Sequence, residues 1–99
     1  MKKLNNVHPG EVLREEFIIP LEISAYRLAK ETFLPQTRIS AILKGKRRVS
    51  ADTALRFAKY FGTTPQFWMG LQDDFDLEEE SIQKHKELND IKPHQDGAA

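Results

Sequence analysis

With 99 residues, 15 Lys and Arg against 15 Asp and Glu, and no Cys, the chain is long enough for one small domain and too short for a large enzyme. The missing cysteines exclude a disulfide framework and a thiolate metal site, and make the cytoplasm the expected compartment, with packing alone holding the core. Lys2 and Lys3 near the start are not followed by an apolar run, and no stretch approaches the ~20 apolar residues of a membrane helix, so neither export nor a membrane span is expected.

The zero net charge is a sum of two unlike halves. Residues 1–62 carry 12 Lys and Arg against six Asp and Glu, whereas residues 63–99 carry three against nine. Such an asymmetry points to an anionic partner for the front half.

Helical punctuation recurs through the first 80 residues. Pro9 stands where a helix can begin, its missing N–H being an orphan donor in any case, and Val12, Leu13 and Phe17 follow at helical spacing until Pro20 is expected to stop the run. Ser24 is a good N-cap for a second helix from about Ala25 to Glu31, with Leu28 and Ala29 facing inward. A tight connection, Thr32, Phe33 and Leu34, leads to Pro35 and a third helix whose Ile39, Ile42 and Leu43 keep the same spacing until Gly45. Ser50 caps a fourth helix, with Ala54, Leu55, Ala58 and Phe61 on one face, Asp52 near the positive end of its dipole and Gly62 at its stop. Thr64 and Pro65 open a fifth, carrying Phe67, Trp68 and Leu71 and extending to about Glu80. From Ser81 onward the chain is charged, with Ile82, Leu88 and Ile91 as its only large apolar residues, and is expected to be a frayed or disordered tail. No segment alternates with period two for long enough to build a sheet. The fold class expected is all-α, with residues 1–80 as the domain and 81–99 as the tail; Leu4 and Val7 are left as a possible N-terminal arm.

The third helix carries the functional signal. On a wheel of ~100° per residue its buried stripe is Ile39, Ile42 and Leu43, so Thr37, Ala41 and Lys44 point away, flanked by Arg38 and Ser40, with Gln36 at the edge. An ordinary solvated face would hold mostly Glu and Lys. Gln pairs bidentately with adenine, Thr and Ser bond several base edges, an Ala methyl meets a thymine methyl, and Arg or Lys reaches guanine or phosphate. Gln36, Thr37, Arg38, Ser40, Ala41 and Lys44 are therefore the candidate base contacts. Lys44, Lys46, Arg47 and Arg48 fall within five residues directly after this helix, and a basic loop in that place suits a sugar-phosphate backbone. A basic run alone is as often a plain solvated loop. What favours the DNA reading is the order helix, tight turn, helix, basic loop. Ser24 and the free N–H groups of the second helix add a phosphate site, so Ser24, Lys46, Arg47 and Arg48 are the candidate phosphate contacts.

An enzyme reading fails on inventory. His8, His85 and His94 lie far apart, there is no nucleophile motif or Gly-rich phosphate loop, and the adjacent pairs Glu15–Glu16 and Asp73–Asp74 point ~100° apart on their helices. No cofactor or metal is implied. A pure protein-interaction module is disfavoured by the groove-suited face and the basic loop.

Residues 8–72, about two-thirds of the chain, also carry a resemblance. It rests on His8 Pro9 Gly10 Glu11 Val12 Leu13 Arg14 Glu15 Glu16 Phe17, on Arg38 Ile39, Gly45 Lys46 Arg47, and Ser50 Ala51 Asp52 Thr53 Ala54 Leu55 Arg56, and on Phe61 Gly62 Thr63 and Pro65 Gln66 Phe67 Trp68. Together these resemble the HigA/VapI-type antitoxins, a branch of the XRE or lambda-repressor-like helix-turn-helix proteins. The resemblance implies a five-helix domain that dimerises, binds a palindromic operator at its own promoter and neutralises a co-encoded RelE-like (HigB-like) mRNA-cleaving toxin. It carries operator contacts to Gln36, Thr37, Arg38, Ser40 and Lys44, and phosphate contacts to Ser24, Lys46, Arg47 and Arg48. Two-fold symmetry would need a seam, for which Phe67, Trp68 and Leu71 are the candidates, although a Trp in so small a domain more often belongs to the core. A stand-alone repressor without a toxin is the alternative. The chain departs from the family in two places. Phe33 stands in the turn where Gly is usual, which at φ > 0 would cost about 1–2 kcal/mol unless the turn has another shape or the ring packs. Met69 and Gly70 replace bulkier residues.

Overall fold

The computed structural model describes residues 6–94 of the chain, and all its regular elements are helical. The possible arm at Leu4 lies outside the described residues. Helix α1 runs from Pro9 to Leu21 in three contiguous segments: α-helical Pro9–Val12, π-helical Leu13–Ile18 and α-helical Ile19–Leu21. The expected stop at Pro20 is not observed. In the π segment the Ile19 N–H reaches back five residues to the Arg14 carbonyl, and this wider turn shifts the upstream carbonyls that a proline ring would otherwise strike. The chain leaves α1 at Glu22 instead, in the left-handed conformation (φ 54°).

Helix α2 (Ala25–Thr32) is capped by Ser24, whose Oγ accepts the Arg27 N–H at 3.0 Å. It ends one residue later than its sequence suggested, because Thr32 is buried and its hydroxyl bonds back to the Leu28 carbonyl at 2.6 Å. Phe33 then adopts φ 59°, ψ 39°. The turn thus has the shape that glycine would favour, and the Phe33 ring is 86% exposed. Neither a different turn nor ring packing relieves the strain. Hydrogen bonds to its backbone hold it instead: Leu34 N–H donates to Ala29 O at 3.0 Å, and the side chain of Arg56 donates through Nη1 to the carbonyls of Thr32 and Phe33 at 2.9 and 3.2 Å.

Helix α3 (Gln36–Leu43) follows, with Lys44 as its C-cap and Gly45 (φ 74°) turning the chain away just beyond. Helix α4 (Ala51–Phe61) starts at the Ser50 cap and stops at Gly62, φ 77°. Helix α5 spans Pro65–Gln83 from the Thr64 cap, and a short α6 spans His85–Asn89. The segment expected to be a frayed tail therefore carries the last turn of α5 and a sixth helix, although every residue from 81 to 94 is exposed.

The helices close around Leu13, Leu28, Ile39, Ile42, Val49, Phe57 and Trp68, all fully buried. Trp68 is the hub, its ring centroid 5.0 Å from Phe17 and 5.1 Å from Phe57, with Phe17 in turn 4.8 Å from Phe61. Its indole N–H donates to Thr63 Oγ1 at 2.8 Å, so the ring is buried without an orphaned donor.

Candidate nucleic-acid interface

The position of α3 is set by α1. Gly10 lies against the end of α3 so closely that a Cβ there would overlap the Ile42 carbonyl oxygen. Next to it, Arg14 Nη2 donates to the Leu43 carbonyl at 2.7 Å, satisfying one of the orphan acceptors at the helix C-terminus. His8 caps α1, its Nδ1 accepting the Gly10 N–H at 2.9 Å, and its ring packs edge-on against Phe75 of α5 at 4.9 Å. Burial lowers the His8 pKa from its ordinary 6.5, with the nearby Asp76 carboxylate opposing.

With its core face so fixed, α3 exposes Gln36, Thr37 and Lys44, and leaves Arg38, Ser40 and Ala41 half-buried. Arg38 is folded back rather than projecting: Nη1 donates to Asp52 Oδ2 at 3.1 Å, its side chain is only 24% exposed, and its Nε is buried without a partner. Asp52 Oδ1 also takes Arg56 Nε at 3.0 Å. The hydrogen bond from Arg56 is the largest influence on the Asp52 carboxyl and, with Arg38 adding to it, holds its pKa below the usual range. The first turn of α4, the base of α3 and the Phe33 turn are thus joined by one carboxylate and two guanidinium groups.

In the loop after α3, Lys46, Arg47 and Arg48 are all exposed. Arg48 is held, Nη1 to Asp76 Oδ2 at 2.6 Å, while Lys44, Lys46 and Arg47 have no ion-pair partner among the described residues. The loop itself is anchored to α5 through Gln72, a fully buried side chain whose Oε1 accepts the Val49 N–H at 2.7 Å and whose Nε2 donates to Asp76 Oδ1 at 2.8 Å. Ser24 is exposed but its hydroxyl is already occupied as the α2 cap.

The seam candidates separate. Trp68 is fully buried within the monomer and presents no surface to a second copy; Phe67 is 40% exposed and Leu71 half-buried. Of the residues that hold the site in place, Gly10, Arg14 and Asp52 entered the sequence reading only as motif residues, Asp52 also as a partner of its helix dipole, and Gln72 not at all. None of them was read as positioning α3, because each acts through a contact distant in sequence.

Among the described residues no cluster of His, Asp and Glu could hold a metal ion, and no helix is long and apolar enough to cross a membrane.

Comparison with known proteins gives this geometry a family. A helix-turn-helix family model matches residues 13–68. Virulence-associated protein I of Dichelobacter nodosus is 45% identical over 71 residues, 72% of this chain and 66% of that protein, so the chain spans just under two thirds of that relative's length. An addiction module antidote protein of the HigA family from Coxiella burnetii is 43% identical and superposes with a TM-score of 0.86 over 92% of this chain and all of that one. The antitoxin HigA of Pseudomonas aeruginosa, solved with the higBA promoter, is 35% identical with a TM-score of 0.88, again over 92% of this chain and all of that one.

Proposed function

The chain belongs to the helix-turn-helix family, in its HigA-type branch of non-enzymatic regulators, and from that footing we propose that it is an antitoxin that binds operator DNA and represses its own operon. One observation carries this reading: the polar face of α3 runs directly into a loop whose Lys44, Lys46 and Arg47 have no ion-pair partner among the described residues. The likeness to a HigA solved on its promoter supports it. In the proposed complex α3 enters the major groove, Gln36, Thr37 and Ser40 meet base edges, Lys44 reaches guanine or phosphate, and Lys46 and Arg47 grip the backbone. Half-sites ~34 Å apart call for a dimer, for which Phe67 and Leu71 on α5 are the proposed contacts. The partner protein is proposed to be a small RelE-like ribonuclease toxin encoded beside it.

Fluorescence anisotropy on the duplex from its own upstream region, against a shuffled duplex from 50 to 300 mM salt, tests the DNA reading. Tight, salt-sensitive preference for the native duplex is expected. Lys46→Ala or Arg47→Ala should weaken binding to both duplexes and flatten the salt slope by about 1. Thr37→Ala should instead erode only the preference, by about 1–3 kcal/mol. Equal losses on both duplexes for both kinds of variant would remove α3 from the groove. Co-purification with the product of the neighbouring gene separates an antitoxin from a stand-alone repressor.

A further inference from the structure

The basic loop and the acidic helix α5 meet at one point, and the chemistry there resembles the contact the loop is proposed to make with DNA. Arg48 Nη1 lies 2.6 Å from Asp76 Oδ2. The two ends of this pair are unequal. Asp76 is pinned, its other oxygen taken by Gln72 Nε2 at 2.8 Å, and Gln72 is itself fully buried and fixed by the Val49 N–H. Arg48 is the free end, with 56% of its side chain exposed against 35% for Asp76. A carboxylate and a phosphate oxygen present the same acceptor to a guanidinium. An ion pair this exposed adds little stability, so a well-placed phosphate can exchange with it.

We propose that Asp76 acts as an internal stand-in for a DNA phosphate, competing for Arg48 and keeping it from backbone contacts until a duplex is fully docked. The proposal rests on the DNA-binding reading above. Its consequence is selectivity. On a random duplex, held only by charge, Arg48 stays with Asp76 and the loop binds with Lys44, Lys46 and Arg47 alone. On the operator, base contacts by α3 fix the phosphates in place and Arg48 changes partner. The acidic half of the chain thereby restrains the basic half.

The test is Asp76→Asn, which keeps the shape and the Gln72 bond while removing the charge, measured by anisotropy on operator and shuffled duplexes across a salt series, with folding checked by circular dichroism. Asp74→Asn, the same charge change at an exposed position of the same helix, is the control, and Arg48→Ala is combined with each. Expected is a gain of about two- to fivefold on the shuffled duplex for Asp76→Asn, a salt slope steeper by about 1, a smaller effect for Asp74→Asn, and disappearance of the gain when Arg48→Ala is added. Equal effects at the two carboxylates, a gain that survives without Arg48, or weaker binding by Asp76→Asn would each overturn the proposal. A wild-type chain that binds neither duplex overturns the DNA reading and the proposal with it, an outcome distinct from wild-type binding that Asp76→Asn leaves unchanged.

Discussion

Gly10 sits in the first turn of α1 with the Ile42 carbonyl against its Cα, so the backbone of α1 touches the backbone of α3 without a side chain between them. Adding one methyl forces the two helices apart, and because the obstacle is backbone it cannot turn aside. Gly10→Ala is expected to cost about 3 kcal/mol or more, above the usual range for overpacking, as a drop in urea midpoint without a change in slope. Phe33 is the opposite case. Its φ of 59° strains any residue with a Cβ, and the ring is almost wholly in solvent, so Phe33→Gly relieves about 1–2 kcal/mol while glycine's extra freedom in the unfolded chain takes back about 0.4–1. A net gain of between about 0 and 1.6 kcal/mol is expected, and a measured loss would show that the ring contributes to folding. His8 titrates with a clear sign. Burial lowers its pKa below 6.5 in the folded chain, so as pH falls the unfolded chain takes up the proton first and stability declines through 6.5 until the folded-state pKa is passed. His8→Asn keeps a capping oxygen but not the titration, and its urea midpoint should change less than wild type between pH 7.5 and pH 5.

Helix boundaries were legible wherever a local cap decides them. Ser24, Ser50 and Thr64 each accept the N–H three residues on, and Gly45 and Gly62 each take positive φ. Boundaries set by neighbours were not: Pro20 rides inside α1 because a π segment makes room for it, and α5 continues past Glu80 to Gln83. The same distinction governs the site. The outward face of α3 follows from its period, whereas the restraint of Arg38 by Asp52 and of Arg48 by Asp76 joins residues 14 and 28 positions apart, beyond any spacing rule. Gln72 shows how an element is tied to a loop. Its carbonyl oxygen accepts the buried Val49 N–H, so Gln72→Leu leaves that donor unsatisfied and should cost about 1–3 kcal/mol. Hydrogen exchange should then quicken selectively at Val49 and the basic loop, while amides in the middle of α4 slow or quicken only with the global stability.

The described chain is longer than its length requires. Its Cα radius of gyration is 17.2 Å and its extents are 55 × 32 × 22 Å, against ~13 Å for a compact domain of about 100 residues. The excess lies in the far end of α5 and in α6, where residues 81–94 are all exposed. Local bonding accounts for this order: Lys84 N–H bonds Glu80 O at 2.9 Å, and Lys84 Nζ pairs with Glu80 at 2.9 Å. An exposed i, i+4 pair of this kind contributes only about 0.3–0.5 kcal/mol. The last turns therefore extend the molecule without holding it together. Removing residues 84–99 should lower the melting temperature by less than about 4 °C, under about 1 kcal/mol for a domain of this size, while small-angle scattering records a clearly smaller radius of gyration. A larger loss of stability would place α6 against the body of the domain in solution and give the acidic end a structural role as well as an electrostatic one. If the loss is small, the same truncated chain can be assayed for toxin capture, and any failure to bind toxin then locates the contact in the removed segment rather than in a damaged fold.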